Sequence, residues 1–198
     1  MRSAVQISVF YQELFMKKCF IPLLCAFGLS VGVSLGVHAL ELNSPDIADG
    51  KTLGSAQVYQ GFGCSGGNVS PALNWSDVPA GTKSFAITVY DPDAPTGSGW
   101  WHWTAYDLPA ALRSLPAGAG KVGALPGGAK QGRNDYGSHD FGGACPPQGD
   151  KPHRYIFTVF ALKEDKLEVP ADASAALIGY MLNANKLATA SLTAWFGR

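Results

Sequence analysis

The run Arg154 to Leu162, RYIFTVFAL, is apolar at nearly every position. In a strand, successive side chains point to opposite faces, so such a run is apolar on both and belongs in the middle of a sheet. A second run, Ser84 to Tyr90 (SFAITVY), alternates Phe85, Ile87 and Val89 against Ser84, Ala86 and Thr88, which predicts a half-buried strand. Trp101 to Leu108 predicts a third strand, whose pleat would put His102, Thr104 and Tyr106 on one face. Gln57 to Tyr59 and Ala72 to Trp75 are shorter candidates. The last quarter changes period. Leu177, Ile178, Met181 and Leu182 fall on one helical stripe, with Asp172 or Ser174 as cap. That helix is expected to run on towards Ala190, with a break at Asn183 to Asn185. The expected fold is therefore mainly β with a helical C-terminal portion.

With 198 residues the chain is expected to form one domain with a sizeable core. Not all of it belongs to that domain. From Met16 a basic pair, Lys17-Lys18, precedes an apolar stretch that ends Val37-His38-Ala39. A basic start, an apolar centre and a small-residue end describe a cleavable secretory signal peptide, Met16 to Ala39. The alternative is a single membrane anchor, against which Gly28, Gly32, Gly36 and the Val-x-Ala ending weigh. Residues Met1 to Phe15 read as an extension upstream of that signal. The expected organisation is thus 1–39 as extension and signal, and 40–198 as one exported domain without a stable membrane anchor, in the periplasm.

Cleavage would remove Arg2, Lys17, Lys18 and Glu13 from the 15 basic and 15 acidic residues, leaving 12 and 14. A net charge of −2 with no Lys/Arg cluster argues against a nucleic-acid partner. Cleavage would also remove Cys19 and Cys25 and leave Cys64 and Cys145. In an exported chain that pair is expected to form one disulfide; two buried thiols are the alternative. There is no Cys-x-x-Cys for a structural metal or a redox motif.

Asp91, Asp93, His102 and His153 are the residues to weigh for chemistry. As metal ligands they lack a local ligand spacing. GSHDFGG around Ser138 is not a nucleophile elbow, and no phosphate-binding Gly-x-x-x-x-Gly-Lys occurs. No catalytic motif is present, and no cofactor is expected. A small anion pocket fits better. In YDPDAPTGSGWWHW, residues 90 to 103, two prolines stiffen the loop that leaves strand Ser84 to Tyr90. Imidazoles and a tyrosine hydroxyl can hydrogen-bond an oxyanion. A carboxylate beside it becomes favourable if a proton is shared or an imidazole is charged. The indoles would take an apolar or cationic part of the ligand. Ser114 to Asp150 carries ten glycines and little periodicity, and a loop that long is usually functional, the alternatives being a missed element or a surface insertion.

YDPDAP followed by WWHW, with PPQGDKPHRYIFTVFAL at residues 146 to 162, resembles the phosphatidylethanolamine-binding protein family, also called the Raf kinase inhibitor protein family. NVSPALNWSDVPAGTKSFA at 68 to 86 and LPGGAKQGRNDYG at 125 to 137 are similar to its bacterial YbhB/YbcL branch, closest to the exported YbcL type. The resemblance covers nearly all of 40–198. It implies an antiparallel β-sandwich with a helical C-terminal portion and a small pocket for phosphate-type head groups. Ligand binding would fall to Asp91 on the pocket floor, His102, His153 and Tyr155, with Pro146 and Pro147 on the rim. Asp93, Pro95 and Arg154 would support the loops. The expectation is a non-enzymatic protein that takes a small anion such as phosphate or phosphoethanolamine. The alternatives are a modulator that acts on a protein partner, such as a kinase, protease or host-signalling protein, through its surface loops, and a weak hydrolase.

Overall fold

The computed structural model describes residues 39–198, so the expectations for 1–38 lie outside the described residues. Ten strands and one α-helix follow in the order β1 (Glu41–Asn43), β2 (Gln60–Gly61), β3 (Cys64–Ser65), β4 (Leu73–Ser76), β5 (Ser84–Asp91), β6 (Trp100–Pro109), β7 (Ser114–Leu115), β8 (Lys130–Gln131), β9 (His153–Leu162), α1 (Ala175–Asn185) and β10 (Lys186–Phe196). The main sheet has five antiparallel strands in the order β10-β9-β5-β6-β8. A smaller sheet, β1-β4-β7, covers one of its faces, and β2 and β3 form a separate hairpin. The class expected from the sequence, mainly β with antiparallel sheets and a C-terminal helix, is the one observed.

The doubly apolar run becomes β9, hydrogen-bonded on both edges and buried at most positions. On one face Phe157 and Val159 meet Ile87 and Val89 of β5 in a core that extends to Leu73 and Trp75 of the smaller sheet. Trp75 and Phe85 touch across this interface, ring centroids 5.4 Å apart. Full burial of a side chain such as Phe85 or Phe157 contributes about 1.5–3 kcal/mol. On the other face α1 lays Ile178 and Leu182 on Ala86, Phe160 and Leu162. Strand β5 is therefore buried on both sides, not half-buried as its alternation suggests. Ala86 and Thr88 face the helix, where small side chains let it approach.

The helix begins as expected, with the Ser174 hydroxyl accepting from the Leu177 amide. It does not continue towards Ala190. It stops at Asn185, where the Asn183 and Asn185 side-chain amides donate back to the Gly179 and Met181 carbonyls. The chain then extends at Lys186 and becomes β10, paired along its length with β9. The break expected at Asn183 to Asn185 is thus the true end, and pairing with an open sheet edge overrides the helical leaning of the alanines. Gln57 to Tyr59 is likewise not a strand: Gln57 closes a short 3-10 turn and Val58 makes one isolated bridge to Ala144. Ala72 to Trp75 appears as β4, one residue later.

Strand β6 departs from an even pleat. Val89 pairs with Trp103 and Tyr90 with Trp101, so His102 has no partner on β5. This is a β-bulge, which inserts one residue and re-aims the side chains around it. Tyr106 lies in the helix-side cluster, whereas His102 packs edge-on against Tyr155, a member of the opposite core. The single face expected for His102, Thr104 and Tyr106 is therefore broken at His102. That break places an imidazole at the end of the main sheet.

Candidate functional site

At that end a pocket of about 200 Å³ opens between the β5–β6 loop, the start of β9 and the loops that carry Cys64 and Cys145. Asp91, His102, His153 and Tyr155 line it, and each is at most 4% exposed. Pro95, Pro146 and Pro147 also line it.

Asp91 ends β5. Its Oδ1 accepts the backbone N–H groups of Asp93 (2.8 Å) and Ala94 (3.1 Å), which folds the Asp-Pro-Asp-Ala-Pro turn. Its Oδ2 accepts Nδ1–H of His153 at 2.7 Å. His153 starts β9, and its Nε2 lies 3.5 Å from an Asp150 carboxylate oxygen. Both ring nitrogens of His153 thus face carboxylates, and the side chain orients Asp91. One step along β9, Arg154 grips Asp93 through its backbone N–H (2.9 Å), Nε (2.8 Å) and Nη2 (2.6 Å). The Arg154 guanidinium holds the Asp93 carboxyl down to about 2. Gly99 closes the turn at φ +71°, and a Cβ there would run into the Tyr90 hydroxyl, which donates to the Ser98 carbonyl at 2.7 Å.

His102 is bonded differently. Its Nδ1 lies 2.8 Å from the Gly142 carbonyl and 3.1 Å from that of Gly143. Carbonyls only accept, so Nδ1 carries the proton. Burial holds this imidazole below its usual range, against the opposing pull of the two carbonyls and of Asp91 and Asp135. Burial also raises the Tyr155 hydroxyl, and the charge on Asp91 adds to it, while the nearby backbone N–H of Cys145, too poorly placed for a full hydrogen bond, pulls weakly the other way. Tyr155 therefore stays protonated. Three buried polar atoms here have no hydrogen-bond partner of good geometry among the described residues: His102 Nε2, Tyr155 Oη and Trp100 Nε1. Polar groups in such positions are normally satisfied by protein, water or a bound group. Trp75 Nε1 and Thr104 Oγ1, away from the pocket, share the condition. It is the gathering of three such residues around one cavity that points to a ligand.

The rim is aromatic. Tyr136 stacks on Tyr59 at 4.1 Å, meets Trp100 and His102 edge-on, and donates its hydroxyl to the Gly143 carbonyl at 2.9 Å. Phe62 leans on both tyrosines, is 70% exposed, and sits in a left-handed conformation (φ 53°) in the turn between β2 and β3. The three tryptophans divide: Trp100 lines the pocket, Trp103 is in the core, and Trp101 packs on Tyr90 and against Gly179 of α1. Sequence reasoning did not single out Tyr136, Phe62 or Asp150. The one available signal was an aromatic residue set among Asn134, Asp135 and Gly137 in a loop.

Cys64 and Cys145 form a disulfide, 81 residues apart in sequence. It joins the Phe62 turn to the segment carrying Pro146 and Pro147. Arg198 spans the same two loops, donating from Nε to the Pro146 carbonyl (2.7 Å) and from Nη1 to that of Gly63 (3.1 Å).

Comparison with known proteins matches residues 43–197 to the family model described as phosphatidylethanolamine-binding protein. The chain is 55% identical over 180 residues to YbcL of Escherichia coli, covering 90% of this chain and 97% of that one. It is 51% identical over 158 residues to YbhB of the same organism, covering 79% and 99%. The crystal structure of Escherichia coli YbcL superposes with a TM-score of 0.79, covering 81% of this chain and 99% of that one. A phosphatidylethanolamine-binding protein homolog from Chlamydia trachomatis superposes with a TM-score of 0.67 at 29% identity, covering 81% and 98%.

Proposed function

The chain belongs to the phosphatidylethanolamine-binding protein family, and from that premise we propose that it is a non-enzymatic, exported protein whose pocket binds a small oxyanion of the phosphoryl type. The observation that carries this reading is the set of unpartnered atoms, His102 Nε2, Tyr155 Oη and Trp100 Nε1, on three residues that line one small pocket. The Tyr155 hydroxyl and the Trp100 indole N–H donate to ligand oxygens. Asp91, His153 and the Asp93–Arg154 pair keep the wall rigid, so little ordering is left to binding. The aromatic rim of Tyr136, Phe62 and Trp100 suits whatever substituent the anion carries, including an ammonium group.

A binding role is favoured over a hydrolytic one because, among the described residues, no Ser, Lys or Arg lines the pocket and the Thr96 hydroxyl there donates to the Gly99 carbonyl. Cys145 is committed to the disulfide, and the nitrogens of His153 face Asp91 and Asp150. Among the described residues no pocket hydroxyl is hydrogen-bonded to an imidazole or a carboxylate.

Titration calorimetry with inorganic phosphate tests the reading. The wild type is expected to show saturable binding, and Tyr155→Phe to weaken it by about 1 kcal/mol, the usual loss for one hydrogen bond. Absence of saturable heat with both phosphate and phosphoethanolamine would overturn it. Export has its own test. N-terminal sequencing of the periplasmic protein is expected to begin at Leu40, and a full-length, membrane-bound form would contradict a cleaved signal peptide.

A further inference from the structure

We infer that the pocket selects oxyanions that still carry a hydroxyl, namely inorganic phosphate or a phosphomonoester in its singly charged form, over oxyanions that carry none, such as sulfate or a phosphodiester. The inference rests on the oxyanion reading above and adds which oxyanion is taken. It follows from the direction of one hydrogen bond. Two carbonyls, Gly142 at 2.8 Å and Gly143 at 3.1 Å, hold the proton of His102 on Nδ1. Nε2 is then a bare lone pair, buried and without a partner among the described residues. Any ligand oxygen that meets it must bring the hydrogen.

The surroundings preserve that state. Tyr136 and Tyr155 face the imidazole edge-on at 5.6 and 5.1 Å. Asp91 from β5 and Asp135 from the loop after β8 act on it through their charge, which favours the imidazolium. Burial outweighs them, so the ring is neutral at neutral pH. With Tyr155 and Trp100 as donors, the site offers one acceptor and two donors. A singly charged phosphomonoester matches this: its P–OH gives to His102 Nε2 while its other oxygens accept from Tyr155 and Trp100. Sulfate and a phosphodiester would turn a lone pair towards a lone pair. Among the described residues no Lys or Arg lines the pocket, so the second charge of sulfate would also stand uncompensated beside Asp91. A phospholipid head group is a diester, so the same logic separates a lipid from a free phosphoryl compound.

The test is calorimetric titration of the wild-type protein with phosphate, phosphoethanolamine, glycerophosphoethanolamine and sulfate at several pH values from 5 to 8. At the acid end, phosphate and phosphoethanolamine are expected to bind at least about tenfold more tightly than the diester and sulfate. The ligand proton is lost near a second pKa of about 6, so phosphoethanolamine affinity should fall roughly tenfold per pH unit above it. In ¹⁵N spectra, His102 Nε2 should be unprotonated in the free protein and shift when phosphate is added. Sulfate or diester binding as tight as phosphate, or a protonated Nε2 at neutral pH, would overturn the selectivity while leaving the oxyanion site in place. Failure of all four ligands to bind would overturn both.

Discussion

Replacing Cys64 and Cys145 together by alanine is expected to lower the free energy of unfolding by about 2–5 kcal/mol. The bridge closes a sequence separation of 81 residues. Without it the unfolded chain regains the freedom of that long loop, while the folded chain loses a tie between two irregular segments. The effect should reach the pocket as well. Cys145 lines it directly, and Phe62 and Pro146 sit one or two residues from the two sulfurs. Arg198, through the Pro146 and Gly63 carbonyls, and the backbone bonds between Ala144 and Gln57 and Tyr59 would then be left to hold the two loops together. Urea unfolding followed by tryptophan fluorescence, with and without reductant, measures the change. Coincident curves for the oxidised, reduced and double-alanine proteins would show that the bridge contributes nothing to stability.

Asp91→Ala is expected to cost about 3–5 kcal/mol of stability and to abolish phosphate binding. Asp91 is buried and accepts three hydrogen bonds, two from the turn that follows it and one from His153. Its removal leaves the His153 Nδ1–H without an acceptor in the protein interior and releases the Asp93–Ala94 turn from β5. The pocket then loses its floor. Asp91→Asn keeps the size and one accepting oxygen, so it should fold with a smaller loss and still bind phosphate less tightly than the wild type. Denaturant unfolding and calorimetry on both variants measure the two effects. Wild-type stability and affinity in both would remove Asp91 from the account.

These predictions rest on features that differ in how plainly the sequence shows them. The central strand β9 was legible because a nine-residue apolar run leaves few alternatives. Strand β5 was legible as a strand, but its second buried face was not. Ala86 and Thr88 are as small and neutral on a solvated face as under a helix, and only α1 decides between the two. Strand β10 was missed because Lys186 to Ala190 carries alanines and a leucine at spacings that also suit a helix. Its state is set by the open edge of β9, a long-range partner that a local reading cannot supply.

The site divides in the same way. Asp-Pro-Asp-Ala-Pro and His-Arg-Tyr stand out as composition, and they lie side by side because β5 and β9 are neighbours in the sheet. The bulge at His102 has no mark in WWHW, since it arises from how β6 must shift to keep pairing with β5. With it went the orientation of the imidazole and the identity of the nitrogen left to meet a ligand. Tyr136 was hidden for a different reason: its partners Tyr59 and Gly143 come from other loops and meet it only in the folded chain.

A crystal structure of the protein grown with phosphoethanolamine would show where a phosphoryl group binds. The phosphoryl group is expected in the pocket at the end of β5, with separate oxygens within about 2.5–3.2 Å of Tyr155 Oη and His102 Nε2. The same structure should keep Nδ1 of His102 on the Gly142 and Gly143 carbonyls. A phosphoryl group bound elsewhere on the surface, with His102 Nε2 and Tyr155 Oη still unpartnered, would contradict the proposed oxyanion site.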